Sequence, residues 1–171
     1  LVIAQKALEY LEFSDLSQKE QELLNGARRM LDDPGPYNPY SGFSVGVAVM
    51  TQGRGDLILG ANVENASFGA SICGERCALL TAHSLGYGDQ CVGIAIVTRG
   101  QEGLATTEIA SSCGLCLQVM QEYAFRSGVG GSFLVLLATT DFSKILRCTL
   151  GDLYPVPFGP HNLVHSEPRA G

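Results

Sequence analysis

Val92-Gly93-Ile94-Ala95-Ile96-Val97-Thr98, then the run from Cys113 to Phe125, then Phe133-Leu134-Val135-Leu136-Leu137-Ala138-Thr139 decide the fold. The outer two are continuous apolar runs bounded by turn-forming residues, the pattern of strands buried on both faces. The middle run reads as a helix. A strand, a helix and a second strand in that order predict a parallel pair joined by a crossover.

Working outward, Phe43 to Thr51 and Leu57 to Val63 read as two strands of a hairpin, joined by the turn Gln52-Gly53-Arg54-Gly55. Cys73 to Leu85 reads as a helix ended by Gly86. Ser17-Gln18-Lys19-Glu20 is a capping box that opens a helix to about Leu31, with Leu23, Leu24, Ala27, Met30 and Leu31 on one face. Asp33-Pro34-Gly35-Pro36 stops it, since proline has no N–H to donate. Apolar positions 3, 7, 8 and 11 suggest a short amphipathic helix at the start of the chain. Lys144 to Leu150 is a last strand, and the chain from Tyr154 is mostly irregular. The alternation predicts an α/β fold with helices on both faces of a sheet. We expect an N-terminal extension, helical, over residues 1–16 and one domain over residues 17–171.

Hydrophobic residues make up 46% of the 171 and charged residues 16%, enough to fill a core. A net charge of -6 disfavours binding to a nucleic acid polymer, whose phosphates it would repel. The opening Leu1-Val2-Ile3-Ala4 is too short to cross a membrane and is followed by Lys6 and Glu9, so we expect a cytoplasmic protein with no membrane partner. Six cysteines in that setting point to metal binding or catalysis before disulfides.

Cys113 and Cys116 form a C-x-x-C pair at a helix start, where free N–H groups and the helix dipole favour thiolates. Cys73, at the start of another helix, could complete a three-sulfur site with an open fourth position. Glu75 could then shuttle a proton beside a metal-activated water. Other readings compete: a redox pair for Cys113 and Cys116, plain core for Cys73, a rival ligand in Cys77, a solvated surface for Glu75. Cys91 and Cys148 read as packing residues within or beside strands, and His83, His161 and His165 are assigned to no metal.

Cys73-Gly74-Glu75-Arg76 together with Ser112-Cys113-Gly114-Leu115-Cys116 resembles the zinc-deaminase signature of a Cys or His, a Glu and a later C-x-x-C. Tyr37 to Gly46, Asn62-Val63-Glu64-Asn65-Ala66, Gln118 to Glu122 and Phe158-Gly159-Pro160 extend the resemblance to the small homotetrameric cytidine deaminases, over roughly residues 17–165. That resemblance implies a three-layer α/β/α fold with a five-stranded mixed sheet. It implies Zn²⁺ on Cys73, Cys113 and Cys116, with Glu75 as the proton shuttle. Phe43 would pack on the pyrimidine, Asn62 and Glu64 would bind the ribose hydroxyls, and the backbone of Ala66 and Gly74 would contact the base. Phe158 would close the site from a neighbouring subunit, and Phe68 would also cross a subunit boundary. The implied reaction is hydrolytic deamination of cytidine or deoxycytidine, a step of pyrimidine salvage; the Glu64 carboxylate would repel the phosphate of a nucleotide.

The sequence departs from that family pattern at Gly74, where Ala is usual, at Ser112, where Pro is usual, and at Leu117, where many relatives have Arg. Arg76 is left to draw charge from the thiolates, helped by the helix dipoles. Two alternatives stand beside the main reading: a deaminase of another nucleoside, such as a blasticidin-type antibiotic, and a catalytically weak zinc protein that binds nucleosides. An ordinary ribose-reading pair at Asn62 and Glu64 favours the main one.

Overall fold

The computed structural model of the chain describes residues 9–163 apart from Arg54 and Asp56. The strands are β1 (Glu9–Leu11), β2 (Ser44–Thr51), β3 (Ile58–Ala61), β4 (Cys91–Arg99), β5 (Leu134–Ala138) and β6 (Ile145–Thr149). The helices are α1 (Gln18–Arg29), α2 (Gly74–Ser84), α3 (Gly114–Arg126) and the single turn α4 (Leu150–Leu153). One mixed sheet runs in the order β1-β6-β5-β4-β2-β3. β4 and β5 pair in parallel, with α3 as their crossover; the other neighbours are antiparallel.

Side-chain alternation along the central strands builds the two helical layers. Val47, Val49, Ile94, Ile96, Val135 and Leu137 pack against α2 and α3. Ala48, Ala95, Val97, Leu136 and Ala138 pack against Leu23, Leu24, Ala27 and Leu31 on the other face. Small residues dominate that second face, so α1 lies close to the sheet. Ser17 and Glu20 form the expected capping box, with the Ser17 N–H donating to Glu20 Oε2 at 3.0 Å. No helix among the described residues is long and apolar enough to cross a membrane.

Two expectations are corrected. The sheet has six strands, not five, because β1 pairs with β6 through Tyr10–Leu146 and its neighbours. The helix expected over residues 1–16 is, from Glu9 on, the strand β1 followed by a 3-10 turn at Phe13–Asp15; residues 1–8 lie outside the described residues. The cause is tertiary. A short isolated helix is marginal, while the open edge of β6 offers this segment ready backbone partners.

Candidate active site

Topology brings two helix starts together. β3 and β4 both run antiparallel to β2, so both end at the same margin of the sheet, where α2 and α3 begin. Cys73 is the N-cap residue of α2 and Cys113 that of α3, and neither side chain caps its helix. Their sulfurs turn to one another and to buried Cys116, one turn into α3; all three lie within 4.8 Å of each other. The Cys113 and Cys116 sulfurs are 3.5 Å apart.

Arg76 stands behind the cluster, its Nη2 donating to the Ser71 carbonyl at 3.0 Å and to Cys73 Sγ at 3.7 Å. Hydrogen bonding from Cys116, aided by Arg76, lowers the Cys73 thiol to about 5. The same contact with Cys73, then burial and the Glu75 charge, pushes Cys116 up. Of these two, Cys73 ionises first. Three sulfurs on one tetrahedral zinc, at Zn–S of about 2.3 Å, sit roughly 3.8 Å apart. The spacing, the easily ionised Cys73 and the cation at its back fit that ion, and three protein ligands leave a fourth position free. Glu75, second residue of α2, is only 5% exposed. Burial raises its carboxyl, and the charge on Cys73 adds to the effect.

A second group of residues adjoins this cluster through Gly74. A Cβ on Gly74 would lie 3.0 Å from the Val45 carbonyl oxygen and 3.4 Å from the Asn62 nitrogen. Buried Asn62 accepts from the Val45 N–H at 2.8 Å and donates to the Phe43 carbonyl at 2.9 Å, so it fixes the start of β2. Phe43 is half-buried there. The Glu64 carboxylate accepts from the backbone N–H groups of Tyr40 at 2.9 Å and Ser41 at 3.1 Å, and from the Ser41 hydroxyl. These bonds, the hydroxyl's foremost, hold its pKa below the usual value. Ala66 is exposed in a loop closed at its base by paired Val63–Ile72 hydrogen bonds, both 2.9 Å. Phe158 is 53% exposed, and Phe68 is 74% exposed.

Some functional geometry was not readable from the sequence. Ser41 holds Glu64 across a separation of 23 residues. Gln118 of α3 takes the Tyr154 hydroxyl and donates to the Phe158 carbonyl, each at 3.0 Å, so it ties the C-terminal segment to the sulfur-bearing helix. A single sequence carries no signal for such long-range pairs. The other cysteines and histidines stay apart from the cluster: Cys91 and Cys148 are buried in strands, Cys77 is free, and His83 faces Arg126. His165 lies outside the described residues. Leu117 packs against the core.

A mixed sheet between helical layers, with a cysteine cluster at two helix starts and a buried glutamate beside it, defines a zinc-deaminase type of fold and site. The family model for the cytidine and deoxycytidylate deaminase zinc-binding region matches residues 17–131. A cytidine deaminase of Mycobacterium tuberculosis is 34% identical over 129 residues, 75% of this chain and 83% of that protein. One of Halalkalibacterium halodurans is 46% identical over 88 residues, 52% of this chain and 61% of that protein. The crystal structure of cytidine deaminase from Burkholderia pseudomallei superposes with a TM-score of 0.68 at 33% identity, covering 84% of this chain and all of that one. The chain belongs to the zinc-dependent cytidine deaminase family of enzymes.

Proposed function

We propose that this protein deaminates free cytidine and deoxycytidine by hydrolysis, releasing ammonia and leaving uridine or deoxyuridine. The observation that carries the reading is a buried carboxyl, Glu75, with a raised pKa beside three convergent sulfurs. Cys73, Cys113 and Cys116 would hold a zinc ion, which when bound supplies a Lewis acid that makes water nucleophilic near neutral pH. Glu75 takes a proton from the water attacking C4 and delivers it to N3, then passes the next proton to the departing amine. A carboxyl lifted above the ordinary carboxylate value holds a proton more readily and can return it to the substrate.

Phe43 offers its ring to the pyrimidine, and the backbone of Ala66 and Gly74 meets the base. Asn62 and Glu64 receive the sugar hydroxyls. With its backbone bonds made, Asn62 keeps one free N–H, and Glu64 Oε1 keeps a lone pair beyond the Ser41 contact. Phe158 closes the site of a neighbouring copy in a homotetramer, and Phe68 reaches across the subunit boundary. Leu80, Leu85, Leu115 and Phe125 support such assembly, for all four stand exposed on α2, at its C-cap or on α3. Six cysteines held as thiols and not as disulfides agree with a cytoplasmic setting.

The test is metal analysis of the purified protein with an ultraviolet assay of cytidine conversion, using Glu75→Ala as control. The variant should stay folded and zinc-loaded while turnover drops by about 10² to 10⁴. Normal turnover by zinc-loaded Glu75→Ala would overturn the shuttle.

A further inference from the structure

The connection from β4 to α3 does not run straight to the sulfur cluster. It first closes a small loop, with the Gly100 N–H on the Leu104 carbonyl at 2.8 Å and a bridge between Arg99 and Ala105. Glu102 and Gly103 at its tip take positive φ values of 56° and 74°. This tight reversal carries Gln101 sideways onto the 38–43 segment, where its Nε2 donates to the Ser41 carbonyl at 2.9 Å. Gly42, at a φ of +65°, faces the same side chain: a Cβ there would lie 3.4 Å from Gln101 Cγ.

Ser41 is thereby gripped from two sides. Gln101 holds its carbonyl, while its N–H and hydroxyl both serve the Glu64 carboxylate. The lone pair left on Glu64 Oε1 can point at a sugar hydroxyl only while Ser41 keeps its place. We propose that Gln101 is a positioning residue for sugar recognition, acting through Ser41 to aim the Glu64 carboxylate. This rests on the reading of Glu64 as a ribose contact. Gln101 touches neither the sulfur cluster nor Glu75 through any of these bonds, so its effect falls on substrate binding and not on the chemical step.

The test compares Gln101→Glu, which keeps the shape but loses the donor, with Gln101→Lys, which can still donate to the Ser41 carbonyl. Steady-state kinetics, zinc content and Tm are measured for both, and for Glu64→Ala. Gln101→Glu should raise KM for cytidine roughly five- to tenfold with kcat, zinc content and Tm unmoved. Gln101→Lys should restore most of the loss. With 2′,3′-dideoxycytidine, which lacks the hydroxyls, the difference between wild type and Gln101→Glu should vanish. A Gln101→Glu protein with wild-type KM, or one whose defect lies in kcat, overturns the proposal. If Glu64→Ala raises KM and Gln101→Glu does not, the proposal alone fails. If Glu64→Ala leaves KM unchanged, the ribose reading fails with it.

Discussion

Cys73 and Cys116 lie in one cluster yet their pKa values shift in opposite directions, chiefly through their mutual contact, with Arg76 adding to the fall at Cys73. Its guanidinium donates to the Cys73 sulfur, while its Nε is buried without a hydrogen-bond partner. Leu117 packs against the core and brings no second cation, so Arg76 has little help beyond the helix N-termini. Arg76→Gln should therefore weaken zinc retention against a chelator, or slow turnover, by on the order of tenfold. Unchanged metal content together with unchanged turnover would remove this role. Gly74 is a second case. In the sequence it is only a departure from the usual Ala, but the fold shows a close approach, with a Cβ there lying 2.9 Å from Val47 Cγ2 and 3.0 Å from the Val45 oxygen. Gly74→Ala should push α2 from the sheet and lower stability by about 1–3 kcal/mol, read as a fall in the urea midpoint at constant slope.

At the scale of elements, local chemistry was legible and long-range pairing was not. The capping box of α1 was plain in Ser17 and Glu20, and the hairpin of β2 and β3 in its Gly-rich turn, because a few neighbouring residues settle each. The helix starts at Cys73 and Cys113 could be placed, and the resemblance assigned their sulfurs to one ion. β1 was misread because its partner, β6, lies far along the chain, and the reversal at Glu102 and Gly103 has no sharper signal than two turn-tolerant residues. Glu20 also shows how an element's cap can tie layers together. It accepts from Arg147 Nε of β6 at 2.6 Å as well as from Ser17. Burial alone would raise its pKa, but the Arg147 and Ser17 hydrogen bonds outweigh it, and the net shift is downward from 4.5. A carboxyl with a depressed folded-state pKa stabilises above its unfolded value and loses that contribution as pH falls. Glu20→Gln should cost about 1 kcal/mol at pH 7. The gap from wild type should close as pH drops below 4.5, followed by urea unfolding across that range.

For the whole molecule, the three sulfurs join α2 and α3, two helices that also pack on the sheet and on each other. An ion held there binds the folded chain and not the unfolded one, so it adds to stability by mass action. Removal of zinc by a chelator should lower Tm by on the order of 10 °C, and zinc added back should restore it. A Tm indifferent to chelation would mean that the cluster contributes nothing to holding these helices.

The added strand β1 bears on solubility. Beyond it, Phe13 stacks on Phe142 at 5.2 Å, and Gln21 grips the Phe13 and Leu16 carbonyls, so the strand is fastened at its C-terminal side. Strip it away and the five residues of β6 would face water with a row of unsatisfied amides and carbonyls, an invitation for another molecule to stack on and for fibrils to grow. The described strand thus acts as a guard rail, giving the backbone groups of β6 partners within the chain.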